Sequence, residues 1–306
     1  MKSLQFYRQF FKAMGAPCEI QLFAETDSAA KQAFGAAMAD IARLEARYSR
    51  YRSDSFLSEI NSVAAIGGRI EVDDETASLL NYAVACHEQS DGLFDITSGI
   101  LRRAWRFDSG TLPDQGLIDE LLTKVGWDKV VWKPPLLEFP LSGMEIDFGG
   151  VVKEYAADRA AALCGAAGIR HGMINLGGDI KVMGPREDGS PWRIGIRHPR
   201  QKDALLQTVS LAGGAMASSG DYERCLTIDG VRYGHILNPR TGWPVRHLAS
   251  VSVIADFCVV AGSASTISML KEDQGPAWLE TMDLPYLWVD VNGKTGGSLL
   301  NAGGQA

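Results

Sequence analysis

Between residues 233 and 245 the chain reads YGHILNPRTGWPV. One imidazole, His235, sits among turn-forming residues: Pro239 fixes a backbone dihedral, Gly242 permits a positive one, and Asn238 and Thr241 can bond the backbone of a turn. A rigid turn of this kind can aim His235 and Thr241 at a ligand, with the imidazole placed for proton transfer or phosphate contact near neutral pH. Standing alone, the same residues would make only a decorated hairpin with a half-buried histidine. Three glycine-centred turns leave strands elsewhere, in DFGGVVKEY, NLGGDI and ASSGDY. Glycine lets the backbone approach a ligand closely and lets successive N–H groups converge on an anion. None of the three is a dinucleotide fingerprint or a Walker loop, and singly each reads as a tight strand turn. Their polar companions, Lys153, Asp179, Ser218, Ser219 and Asp221, are what a site for a phosphate-bearing ligand would contain.

The rest of the chain limits what that ligand is. A net charge of −7 over 306 residues, with no basic cluster, argues against nucleic acid and anionic membrane, because phosphate backbones demand concentrated Lys and Arg. A small molecule or a protein is the expected partner. Hydrophobic content of 46% and charged content of 22% are those of an ordinary folded protein. The five cysteines are odd in number, widely spaced and lack a CxxC pair, so neither a disulfide framework nor a zinc site is indicated. No segment approaches the roughly 20 apolar residues of a membrane span. The N-terminal MKSLQFYRQFFKAMGAPC interrupts its apolar run with Arg8, Gln9 and Lys12, so it lacks a signal-peptide core. A cytoplasmic location is expected, or a periplasmic one if a leader has been removed.

Periodicity supplies the elements that must position these residues. PCEIQLFAE alternates as a strand, and residues 28–48 carry apolar positions at helical spacing with Ser28 as candidate N-cap. Residues 75–90 repeat the helical pattern, and DGLFDITSGIL opens on a turn. GMEIDFGGVVKEYAADRAAALCGAAGI reads as a strand, a Gly-Gly turn and a long alanine-rich helix. HGMINLGGDIKVMG, PWRIGIRHP and LLQTVSLAGGAMASSGDY add strands with polar turns. The expected fold is α+β, with mainly antiparallel sheets flanked by helices. One domain over residues 1–306 is expected, divisible into two intimate subdomains at about 12–110 and 117–300.

The segments MGAPCEI, YSRYRSDSFLSEIN, DGLFDITSGIL, IDFGGVVKEYAADRA, MINLGGDIKVMG, SSGDYERC, YGHILNPRTGWPV and AGSASTISML occur in the order that characterises the ApbE family, the FAD:protein FMN transferases. The chain resembles that family from about residue 12 to about residue 272, most specifically in the H-I-x-x-P-x-T-G element. The resemblance implies that FAD is bound, its pyrophosphate is split, and FMN is passed to a Thr or Ser hydroxyl of an acceptor flavoprotein with release of AMP. It places Met14, Tyr51, Leu93, Phe94, Asp95, Gly150, Lys153 and Leu237 at FAD contacts, and His235 at the motif histidine, with Thr241 beside it as a second catalytic candidate. An FAD pyrophosphatase and a non-catalytic flavin-binding protein are the competing functions.

Two positions depart from the family pattern. The family is expected to hold Mg²⁺ through a D-A-x-x-T-like segment and a main-chain oxygen of the Gly-Gly turn. Here the segment is AGSAST, which keeps Thr266 but has Gly262 where the aspartate is expected. Where many members have K-G-Y, this chain has KEY, so Glu154 replaces a glycine. Either Glu154 substitutes for the lost carboxylate, in a metal site with Thr266, Ser265 and the Val152 carbonyl, or it is a surface helix residue and metal binding is poor.

Overall fold

The computed structural model describes residues 3–300; the first two and last six residues of the expected 1–306 domain lie outside the described residues. Its centre is an eight-stranded sheet in the order Gln5–Ala13, Ala16–Ala24, His171–Leu176, Asp179–Gly184, Gly214–Gly220, Leu248–Ala255, Tyr286–Asp290 and Thr295–Gly296. Every neighbouring pair is antiparallel, as the short glycine-rich connections lead one to expect. The fold is therefore α+β with antiparallel sheets.

Each face of the sheet has its own cover. The helices Asp27–Tyr48, Val152–Ala166 and Cys258–Leu270 pack on one side, while the two-stranded ribbon Trp192–Arg197 and Leu205–Leu211 closes the other. Alternation along the strands divides the side chains between them. Ala215 and Ala217 join the core under the helices, whereas Met216 joins Trp192, Ile194 and Val209 under the ribbon. Coverage on both faces also explains why Leu248–Ala255 is buried almost throughout rather than alternating with water. Helix Asp27–Tyr48 meets Val152–Ala166 through buried Ala30, Ala33 and Ala37 on one side and Ala156, Ala157 and Ala160 on the other, so the two backbones approach closely.

Two local expectations are corrected. The first helix starts at Asp27 and is capped by Thr26, whose hydroxyl accepts from Ala29 N–H at 3.2 Å; Ser28 lies inside the first turn. Residues 144–148 form no strand, although Met144, Ile146 and Phe148 alternate inward. The Asn61 side chain takes both backbone groups of Ile146, at 2.8 and 2.9 Å, and Asp147 N–H bonds the Ile96 carbonyl. A side chain thus supplies the hydrogen bonds that a neighbouring strand would have supplied.

Register brings the glycine turns to one end of the sheet. Cys18 pairs with Leu176 and Met216 with Ile180, so the Met14–Gly15 turn, the Gly177–Gly178 turn and the end of Gly214–Gly220 lie together. The N-terminus of helix Val152–Ala166 opens at the same end, because Lys153 in its first turn reaches Asp179.

Candidate active site

A two-lobed cleft occupies that end of the sheet. The larger lobe, about 1370 Å³, is lined by Met14, Tyr51, Val152, Lys153 and His235 among others. The smaller, about 200 Å³, is lined by Leu93, Phe94, Asp95, Gly150, Glu154, Leu237 and Thr266. Arg102, Asp147, Gly149, Lys153, Ser218, Tyr222, Glu223 and His235 line both, so the lobes are continuous.

The 233–245 segment is built as a docked turn. Asn238 N–H bonds the Trp243 carbonyl at 2.8 Å, Gly242 N–H returns to the Asn238 carbonyl, and Val245 N–H bonds the Ile236 carbonyl. Gly242 has φ +71°, and a Cβ there would fall 2.4 Å from Ile118, which leaves glycine as the residue that fits. Trp105 locks the turn by donating its indole N–H to the Gly242 carbonyl at 2.7 Å. The result holds Leu237 at 8% exposure against the smaller lobe and His235 against both. Thr241 is placed differently: it is exposed, lines neither lobe, and its hydroxyl accepts from Trp243 N–H at 3.2 Å, a turn-forming contact.

Burial depresses the His235 pKa to about 4, aided by Arg102 and Arg224 and opposed by Glu223 and the Arg224 main chain. Its Nδ1 is buried without a hydrogen-bond partner. The imidazole is therefore neutral at physiological pH and able to accept a proton.

Glu154 is buried, not a surface helix residue. A Cβ built on Gly262 would lie 2.5 Å from Glu154 Cγ and 3.2 Å from Oε1, so the glutamate side chain fills the space that a side chain at 262 would need. Its Oε2 is buried with no hydrogen-bond partner. Burial and the facing Asp179 push its pKa up to about 8, against the pull of Lys153. Lys153 Nζ lies 2.7 Å from Asp179 Oδ2, a close ion pair off the hydrogen-bond axis. Burial opposes the Lys153 charge, but Asp179 and Glu154 outweigh it and hold its pKa above the ordinary value. Thr266 Oγ1 is 2.9 Å from Ser219 Oγ, which is 2.8 Å from Ser265 Oγ. Thr266 lines the smaller lobe, whereas Ser265, fully buried, donates back to the Gly262 carbonyl and sits behind it.

The remaining expected contacts divide in the same way. Phe94 backs the glycine turn, its ring 3.3 Å from where a Gly150 Cβ would stand. Asp95 spends its carboxylate inside the fold, accepting from Thr97 N–H and Oγ1 at 2.8 and 2.6 Å and from Trp127 N–H at 2.9 Å, so its main chain is what remains for a ligand. Tyr51 is 76% exposed at the larger lobe. Asp221 pairs with Arg200 in a two-pronged bond at 2.6 and 2.7 Å and lines neither lobe. Sequence reasoning missed Arg102, Asp147, Tyr222 and Arg224; none stands in a pattern that distinguishes it from a solvated or packed residue.

A sequence profile of the ApbE family matches residues 14–288, and this chain belongs to that family. It is 31% identical over 248 residues to the FAD:protein FMN transferase of Vibrio cholerae, covering 79% of this chain and 74% of that protein. It is 34% identical over 222 residues to the FAD:protein FMN transferase of Rhodobacter capsulatus, covering 69% of this chain and 41% of that longer protein. The crystal structure of the ApbE protein from Thermotoga maritima superposes with a TM-score of 0.88 at 31% identity, covering 97% of this chain and 98% of that one. Among the described residues no helix is long and apolar enough to cross a membrane.

The depressed His235 pKa carries a stability signature. A histidine whose folded pKa of about 4 lies below its ordinary 6.5 contributes stability that is present above pH 6.5 and lost as pH falls through 4. His235→Gln should remove that loss, so its stability relative to the parent should rise on acidification by on the order of 3 kcal/mol. Thermal melts of both proteins at several pH values between 7 and 4 check this; a pH-independent difference would mean that the imidazole titrates normally.

Proposed function

We propose that this chain is an FAD:protein FMN transferase, moving FMN from FAD to a Thr or Ser hydroxyl of an acceptor flavoprotein and releasing AMP. The observation that carries the reading is a neutral His235 at the junction of two continuous lobes, beside a buried carboxylate with a free oxygen. The names of the relatives agree with it. Met14 and Tyr51 would meet FAD in the larger lobe, and Leu93, Phe94, Asp95, Gly150 and Leu237 in the smaller, with Lys153 at the phosphates between them.

In this reading the acceptor hydroxyl oxygen forms a bond to the FMN phosphorus while the bond from that phosphorus to the bridging oxygen breaks. His235 takes the hydroxyl proton, and AMP leaves with the bridging oxygen. A pyrophosphatase would use the same groups with water in place of the hydroxyl. Incubation with FAD and magnesium, with and without an acceptor bearing a threonine, separates the outcomes. Covalent FMN on the acceptor supports the proposal; free FMN and AMP irrespective of acceptor, or unchanged FAD, would sink it. His235→Ala should abolish transfer while FAD affinity stays within roughly tenfold. A fully active variant would leave the imidazole only a packing role.

Magnesium fits the residues present. Among the described residues there is no cluster of three His, Cys, Asp or Glu, but Mg²⁺ takes hard oxygens of any kind and keeps several waters. Glu154 Oε2, unpartnered and buried, and Thr266 Oγ1 would hold it from the smaller lobe, with Ser265 supporting Thr266 through Ser219; Val152, whose carbonyl is the third expected ligand, lines the larger lobe and opens the helix Val152–Ala166. When bound, the ion would offset negative charge on the pyrophosphate. Glu154→Gln should weaken Mg²⁺ binding at least tenfold by calorimetry, and Glu154→Gly with Gly262→Asp should restore it, because the two side chains compete for one space. Unchanged affinity in Glu154→Gln would assign the ion to other ligands.

A further inference from the structure

Five arginines line the larger lobe, and three of them are already committed. Arg50 bridges Glu145 and Asp147 at 2.7 and 2.8 Å, Arg52 pairs with Asp54 at 2.7 Å, and Arg197 pairs with Glu223 at 2.8 Å. Lys153 is held by Asp179. The other two, Arg102 and Arg224, make no ion pair and no side-chain hydrogen bond among the described residues. They arrive from different elements. Arg102 stands near the end of the 3₁₀ helix Ile96–Arg103 and lines both lobes, half-buried. Arg224 follows strand Gly214–Gly220 and extends to the Met14–Gly15 turn, where a Cβ on Gly15 would lie 3.6 Å from its Nη2.

We propose that Arg102 and Arg224 form a two-guanidinium clamp for the diphosphate of the dinucleotide substrate, closing over it beside His235. This rests on the flavin-transferase reading and adds two binding residues to it. Guanidinium is the side chain best matched to phosphate, offering two parallel N–H donors to two oxygens. Arg102 is half-buried and Arg224 is exposed at the lobe, so both guanidinium groups keep their donors available to an anion that enters it. Both groups act on His235, whose pKa they lower. A bound diphosphate would offset their charge and make the imidazole a stronger base once the substrate is seated. The charges facing His235 from surrounding elements are Arg102, Arg224 and Glu223, with Lys153, Glu154 and Asp147 lining the same lobes.

The test is calorimetric binding of ADP and of inorganic pyrophosphate, each in magnesium and again in EDTA, with riboflavin binding followed by fluorescence. Arg102→Gln and Arg224→Gln should each lower ADP affinity about tenfold, the double variant more, while riboflavin affinity is unchanged. Arg102→Lys and Arg224→Lys, which keep charge but lose the planar fork, should fall between the parent and the Gln variants and serve if the Gln proteins do not fold. The His235 ring resonance, titrated by NMR, should show a higher pKa in Arg102→Gln and in the parent with ADP bound. If the double variant binds ADP within twofold of the parent, the clamp is wrong even where FAD is bound and transferred. If the variants raise only the KM for the acceptor protein, the two arginines recognise acceptor carboxylates and the clamp is again wrong. A parent that binds neither ADP nor riboflavin would instead remove the flavin-transferase reading itself.

Discussion

The site is organised around the cost of burying the Glu154 carboxylate. Removing a carboxylate from water without a partner for each oxygen is expensive, and proteins tolerate it only where something nearby offsets the charge or keeps the group protonated. Here several features do so together. Glu154 stands in the first turn of helix Val152–Ala166, where the exposed N–H groups favour negative charge. Lys153 lies beside it, itself anchored by Asp179. Above all, the absence of a side chain at Gly262 gives the glutamate somewhere to go. A residue with a Cβ at 262 would expel it, and a glycine at 154 would leave a hole between two helices.

That dependence explains which parts of the site were legible in the sequence. The strand turns and helices follow from local pattern: the period-2 runs around Gly177–Gly178, the 3.6-period of residues 28–48, apart from its cap, and the turn chemistry of 238–242 appear in place. Gly262 and Glu154 were each legible as a departure from the family pattern. Their interpenetration was not, because nothing in the chain states that positions 108 residues apart share one volume. Asp95 shows the converse. Its position in a family segment marks it as a contact, yet its carboxylate is consumed by the backbone of Thr97 and Trp127. Thr241 likewise has a side chain suited to chemistry and is used to shape the turn. Short polar side chains bond backbone as readily as ligand, and sequence type alone does not separate the two uses.

The strand read at 144–148 failed for a related reason. Alternating burial is necessary for a strand but does not supply a partner for its hydrogen bonds. Asn61 provides one instead, which leaves the segment extended and its end free to turn through Gly149 and Gly150 into the helix. Arg50 ties Glu145 and Asp147 to the loop that carries Tyr51, so both walls of the larger lobe are fixed by one guanidinium. Geometry that a ladder would have spread over several residues is concentrated in two side chains.

The same desolvation that raises Glu154 lowers His235, and the two shifts act in one direction on the charge of the site. Burial favours the uncharged form of both, raising the pKa of the carboxyl and lowering that of the imidazole. Lys153 is balanced by Asp179, Arg50 by Glu145 and Asp147, and Arg197 by Glu223. The cleft therefore presents two guanidinium groups without ion-pair partners among the described residues, Arg102 and Arg224. Positive charge of this kind in a cleft favours an anionic ligand.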